Sequence, residues 1–210
     1  MTARLKFANI PEAYKNVRKD SIKNVYQKPE SKKAMVAICT AIKYWLEHFD
    51  EMFEKGKGLY LYSGTKGSGK TMFAAYIANE LIYEKKKTVK FATSVQIINE
   101  IKSTWNRDSD TSTNQLLDDL IKAEILIIDD FGTEKAKDWI SEAFYSIING
   151  RYSDMKITIF TSNMSIGNLD YDKRITNRIM ERNYIIPFPE ESVRELIAQG
   201  NNEELKNIIK

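Results

Sequence analysis

Eight consecutive residues, Gly64-Thr65-Lys66-Gly67-Ser68-Gly69-Lys70-Thr71, carry the clearest chemistry in this chain. Their spacing, G-x-x-x-x-G-K-[ST], is that of a backbone cradle for phosphates. Gly64, Gly67 and Gly69 let the chain curl so that its N–H groups converge on a polyanion. Lys70 would place its ammonium between β- and γ-phosphates, and Thr71 would offer its hydroxyl to Mg²⁺. Ser68, Gly69 and Met72 would give mainly backbone amides, with Thr65 and Lys66 completing the loop. A helix opening at the end of the cradle would add the positive end of its dipole.

Three further runs suit the same chemistry. Ile125-Leu126-Ile127-Ile128-Asp129-Asp130 joins four apolar residues to two carboxylates, 59 positions after Lys70. It reads as a buried strand whose end emerges at the phosphate site. Asp129 would hold Mg²⁺ through water, and Asp130 would orient or deprotonate an attacking water. The run ITIFTSN at residues 157–163 ends a strand in polar side chains, so Asn163 would hold that water near the γ-phosphate. In LDYDKRITNRIMER, Arg174 and Arg178 are four apart and share a helix face. They are either solvated or a positive finger for a neighbour's γ-phosphate. Arg194, near the start of the last helical stretch, either reaches the phosphates from a lid or pairs with Glu190 or Glu191.

The elements that must position these residues follow from periodicity. Apolar residues at Met35, Ile38, Cys39, Ile42, Leu46, Phe49 and Phe53 trace one helical face and put Cys39 among buried structural side chains, with His48 outside the stripe. Strands are expected at 58–63, 88–92, 125–128, 157–162 and 184–186. Helices are expected at 71–81, 95–105, 114–121, 139–151, 172–181 and from 192 onward. This alternation predicts an α/β fold with a mainly parallel five-stranded sheet. Residues 107–114, RDSDTSTN, read as a mobile loop.

Composition excludes several classes. The chain has 210 residues, 42% hydrophobic and 29% charged, enough for a core and too apolar for global disorder. A single cysteine, Cys39, excludes an internal disulfide framework and a cysteine-rich zinc module, and the lone His48 speaks against a multi-histidine metal site. No apolar run approaches a membrane span and the N-terminal stretch lacks the core of a signal peptide, so no membrane contact and a cytoplasmic location are expected. Residues 1–33 hold nine Lys/Arg against three Asp/Glu, a net of +6 (9 − 3). They read as a basic N-terminal arm, solvated or facing nucleic acid or an acidic partner, ahead of a nucleotide-hydrolase domain at 34–210 with a short C-terminal helical part. The run Lys85-Lys86-Lys87 is either a DNA contact or a solvated helix end.

Taken together, IPEAYKN at 10–16, GKGLYLYSGTKGSGKT at 56–71, VKFAT at 89–93 and ILIIDDFGTEK at 125–135 resemble the AAA+ ATPases of the bacterial and phage replicative helicase-loader group. This is the DnaC/DnaI type, related to the transposition ATPase IstB. YSIINGRYSDMKITIFTSN at 145–163 and RITNRI at 174–179 complete the likeness. The resemblance implies a P-loop NTPase of the AAA+ (ASCE) class, a three-layer α/β/α sandwich. It implies ATP/ADP and Mg²⁺ as ligands, with Lys70 and Thr71 in Walker A and Asp129 and Asp130 in Walker B. Asn163 becomes sensor 1, Arg174 the arginine finger through which subunits self-associate, and Arg194 sensor 2. Residues around Ile10 and Pro11 would line the adenine. Partners would be a replicative ring helicase and single-stranded DNA. Alternatives are an IstB-like regulator on duplex DNA and a nucleotide-held interaction module with little turnover. Two departures stand out. Only a short basic arm precedes the first helix, so the helicase grip falls to that arm and helix or to another surface. Asp130 stands where the wider class has glutamate, which implies slow or partner-dependent hydrolysis.

Overall fold

The computed structural model describes residues 2–22, 25–105, 110–134 and 137–209. Five strands form its centre: β1 Gly58–Tyr62, β2 Val89–Thr93, β3 Ile125–Asp129, β4 Ile157–Ser162 and β5 Asn183–Pro187. Their order is β2-β3-β4-β1-β5, and every pairing is parallel. Because strand side chains alternate between faces, β1 to β4 each feed two cores, while β5 adds Ile186 to the first. Leu59, Leu61, Val89, Phe91, Ile125, Ile127, Ile157 and Ile159 enter one core. Tyr60, Ala92, Leu126, Ile128 and Phe160 enter the other.

The first core is covered by α1 Thr2–Ala8, α2 Pro29–Glu47, α3 Phe49–Glu54 and α4 Lys70–Tyr83. The second is covered by α5 Ser94–Trp105, α6 Asp110–Lys122, α7 Asp138–Ser153 and α8 Lys173–Arg182. A last helix, α9 Val193–Ile208, follows β5. The result is the expected three-layer sandwich, and it brings the carboxyl ends of all five parallel strands to one edge. Helix α4 is buried on nearly every side, from Phe73 through Asn79 and at Leu81 and Ile82, because it runs between the sheet and α2.

Several expectations change. The basic N-terminal stretch is not a free arm. Ala8, Ile10 and Tyr26 are buried in the first core, and Asn79 donates from its amide to the Tyr14 carbonyl (3.0 Å) and the Val17 carbonyl (2.9 Å). The expected division between 33 and 34 falls inside α2, which starts at Pro29. Within the expected loop at 107–114, residues 110–114 are the first turn of α6, while 107–109 lie outside the described residues. Cys39 is only partly buried, with its thiol 3.9 Å from the Met35 sulfur. His48 is exposed and stacks on Tyr44. Lys85-Lys86-Lys87 closes α4 at the amino end of β2, the sheet edge away from the cradle. There Lys87 pairs with Glu124 at 2.9 Å and covers the Phe53 ring.

Candidate nucleotide site

At the carboxyl edge of the sheet lies a cleft of about 550 Å³, lined by residues 66–72 with Asp130, Asn163 and Arg194 facing them. That volume falls in the range of small-ligand pockets, ~300–1,000 Å³. The cradle passes from β1 into α4 through Gly67 (φ 80°) and Gly69 (φ 91°), a left-handed backbone that favours glycine. Gly64 has no such conformation. Its contribution is an amide, which donates to Glu190 Oε1 at 2.9 Å.

Lys70 is 5% exposed, and its ammonium donates to the carbonyls of Ser63 (3.2 Å) and Thr65 (3.1 Å) and to Ser68 Oγ (3.2 Å). Burial lowers its pKa, an effect opposed by Asp130, Glu190 and Asp129. The Thr71 hydroxyl donates to the Asp129 carboxylate at 2.9 Å. Burial raises the pKa of Asp129, partly offset by the Thr161 and Thr71 hydroxyls. This donor set suits Mg²⁺, a hard cation that keeps waters and shares phosphate oxygens. No group of three or more His, Cys, Asp or Glu among the described residues could form an all-protein metal cage.

Thr161, absent from the residues singled out in the sequence, joins the Asp129 carboxylate to the Asp130 backbone. Its hydroxyl donates to Asp129 Oδ1 at 2.6 Å and accepts from the Asp130 amide at 2.9 Å. Asp130 itself sits at φ 54°, a strained position for a side chain with a Cβ. Asn163 follows β4 directly, beside Ser162, whose hydroxyl donates to the Phe131 carbonyl at 2.7 Å.

The cradle is also held from behind by the segment after β5. Glu190 accepts from the amides of Gly64 and Thr65 and from the Thr65 hydroxyl (2.7 Å). The Val193 amide donates to the Gly67 carbonyl at 3.0 Å, which lays the first turn of α9, and with it Arg194, against the cradle. Glu191 accepts from the amides of Gln27 (2.8 Å) and Lys28, just before α2, so neither carboxylate is taken by Arg194. Near that junction the Tyr26 hydroxyl donates to the Ser68 carbonyl at 2.7 Å, and burial pushes its pKa up to about 12. The expected base contact shifts as well. Tyr14, with Met72, Val193 and Ile197, lines the cleft, while Ile10 lies in the core and Pro11 is not part of the lining.

Arg174 does not line this cleft. It projects from the first turn of α8, exposed, with its N–H groups on Asp172, the N-cap residue (Nε to Oδ1, 3.0 Å). Its guanidinium and that of Arg178 lie over the Tyr145 ring, at 4.9 and 5.4 Å. Arg151, part of the NGRY string, is structural. It is 1% exposed and donates to the carbonyls of Leu120, Ile121, Ala123 and Ile157 and to Thr158 Oγ1.

Residues 52–195, which contain the cradle, Asp129, Asp130, Asn163, Arg174 and Arg194, match the family model described as IstB-like ATP binding protein. The replicative helicase loader DnaC of Escherichia coli K12 is 31% identical over 132 residues, 63% of this chain and 52% of that protein. The chain thus spans about half the length of the curated relatives it matches. A crystal structure of the DnaC helicase loader has a TM-score of 0.70 at 24% identity, covering 85% of this chain and 100% of that one. The crystal structure of DnaI has a TM-score of 0.68 at 22% identity, covering 91% and 99%. With the P-loop fold and the cradle in place, the family match settles membership: the chain belongs to the IstB-like ATP-binding protein family.

Proposed function

We propose that this chain is an ATPase that loads a replicative ring helicase onto single-stranded DNA. The carrying observation is the convergence of Lys70, Thr71, Asp130 and Asn163 on one cleft while Arg174 stands outside it. Lys70 would exchange its loop carbonyls for the β- and γ-phosphates. Thr71 and, through water, Asp129 would hold Mg²⁺, which when bound neutralises charge on the phosphates. Asp130 would orient or deprotonate the attacking water and Asn163 would hold it, while Arg194 would touch the phosphates from α9. Asp130 is one methylene shorter than glutamate, which favours slow turnover raised by DNA or a partner. Arg174 would leave Asp172 for the γ-phosphate in an adjoining subunit, so oligomer formation and hydrolysis would be linked. Differential affinity of the ATP and ADP states for helicase and DNA would drive delivery and release.

The helicase partner is inferred from relatives that are themselves named replicative helicase loaders. A cytoplasmic location accords with that role, and no described helix is long and apolar enough to cross a membrane. The family description favours a second reading, an IstB-like regulator acting on duplex DNA. Light scattering after size exclusion, with ATP, single-stranded or duplex DNA and a hexameric ring helicase, separates the two. A nucleotide-dependent complex with helicase and single strands supports loading. Preference for duplex with no helicase complex refutes it. ATP hydrolysis with and without DNA excludes or establishes a module with negligible turnover.

A further inference from the structure

Between the cleft and the exposed Arg174 lies a polar cluster that the proposed chemistry does not use. Its centre is Glu134, five residues past Asp129. One carboxylate oxygen accepts from the Ser94 hydroxyl at 2.7 Å. The other accepts from the Tyr171 phenol and from the Gly132 amide (3.3 Å). Glu134 therefore joins three segments: the start of α5, the turn after β3 and the chain entering α8.

On one side this cluster reaches Asp130. The Asp130 carbonyl accepts from the hydroxyls of Ser94 and Thr133, both at 3.0 Å, which helps hold its left-handed backbone. Gly132, at φ 83°, sets the turn so close to Leu169 that a Cβ there would lie 2.3 Å from Leu169 Cδ2. On the other side, Tyr171 stacks on Phe131 with centroids 5.0 Å apart and planes 6° apart. Its neighbour Asp172 caps α8 and accepts from the Arg174 amide at 2.7 Å. Burial and the adjacent Glu134 push the Tyr171 pKa far up, so the phenol keeps its proton and remains a donor.

We propose that Glu134 is a positioning residue that ties the Asp130 turn of a subunit to the Arg174 that the same subunit presents to its neighbour. Hydrogen bonds weaken steeply when their geometry slips, and a partly buried phenol left without its acceptor is costly. A rearrangement of the turn around Asp130 therefore drags Tyr171, and with it the cap that holds Arg174. What happens at one nucleotide site is thereby relayed to the finger delivered to the next. This inference rests on Arg174 acting in trans.

The test uses Tyr171→Phe, which keeps the ring stack and removes only the hydroxyl, with Glu134→Ala as a second variant. Without nucleotide, amide hydrogen exchange at residues 129–134 and at Arg174 and Ile175 is expected to quicken together by about fivefold in both variants, as for loss of one net hydrogen bond. ATP affinity should stay within about twofold of wild type. The decisive readout is subunit mixing. Asn163→Ala, which removes a side chain lining its own cleft and leaves the Glu134 cluster and α8 intact, should lend its finger to Arg174→Ala subunits and raise turnover about tenfold above Arg174→Ala alone. Tyr171→Phe and Glu134→Ala, mixed in the same way, should not. Rescue by them equal to that by Asn163→Ala, or unchanged exchange in either segment, overturns the proposal. If Arg174→Ala alone turns over like wild type, the trans reading falls instead, and exchange still decides whether Glu134 joins the two segments.

Discussion

The cradle and the first turn of α8 both hold a cation, Lys70 and Arg174, but they are built in opposite ways. In the cradle, Lys70 is buried and three oxygens of its own loop accept from its ammonium. Glu190, Tyr26 and Val193 then fix the loop from other segments. At α8, Arg174 is exposed, and its N–H groups go to Asp172 at its own helix start while Tyr145 lies beneath its guanidinium. A buried, multiply held cation is committed to one position, whereas an exposed ion pair contributes little and exchanges partners readily. The contacts that hold the cradle therefore all lie within one chain, whereas Arg174 can exchange its partner, as the proposed finger role requires.

Four experiments sharpen or break that contrast. Arg174→Ala should lower ATP turnover by about a thousandfold, measured at high protein concentration, with nucleotide affinity spared. Normal turnover would place the finger elsewhere. Lys70→Ala should do the reverse and weaken ATP binding by about 100-fold in a fluorescence titration, through loss of charge-assisted contacts. Tyr26→Phe, which leaves the Ser68 carbonyl without its partner, should cost ~1 kcal/mol of stability in urea and loosen nucleotide binding. An unchanged affinity would detach the N-terminal stretch from the site.

The smallest effect concerns pH. Asp129 has a raised native pKa. Its ionisation therefore costs stability as pH rises from the unfolded value (about 4) through the native one, and below the unfolded value that cost is absent. Asp172 is lowered by Arg174, so its contribution is present above the unfolded pKa and is lost as pH falls through the native value. Asp129→Asn and Asp172→Asn should change the pH slope of the urea midpoint, without magnesium or nucleotide, in opposite directions. Changes of the same sign would contradict the assignment of one carboxylate as buried and the other as exposed and paired.

What could be read from the sequence was what is local. The cradle spans eight consecutive residues, and the five strands announce themselves by short apolar runs between turns. The residues that hold the site act across long separations. Thr161 reaches Asp129 over 32 positions, Glu190 reaches Gly64 over 126, and Tyr26 reaches Ser68 over 42. No spacing rule marks them, since a threonine at a strand end or a glutamate in a loop is ordinary. Charge misled at the N-terminus, where nine basic residues draw attention away from Ala8, Ile10 and Tyr26, the ones that are buried. Composition misled at residues 110–114, where Asp, Ser, Thr and Asn suggest a loop but the first turn of α6 has formed, a place where short polar residues are also at home.

Arg151 has a consequence for handling the protein. Its guanidinium is held by four backbone carbonyls and a hydroxyl, and peptide dipoles neither dissociate in concentrated electrolyte nor take up protons in mild acid. Concentrated salt can therefore screen the exposed ion pairs of this molecule while the bolt between α6, α7 and β4 stays shut.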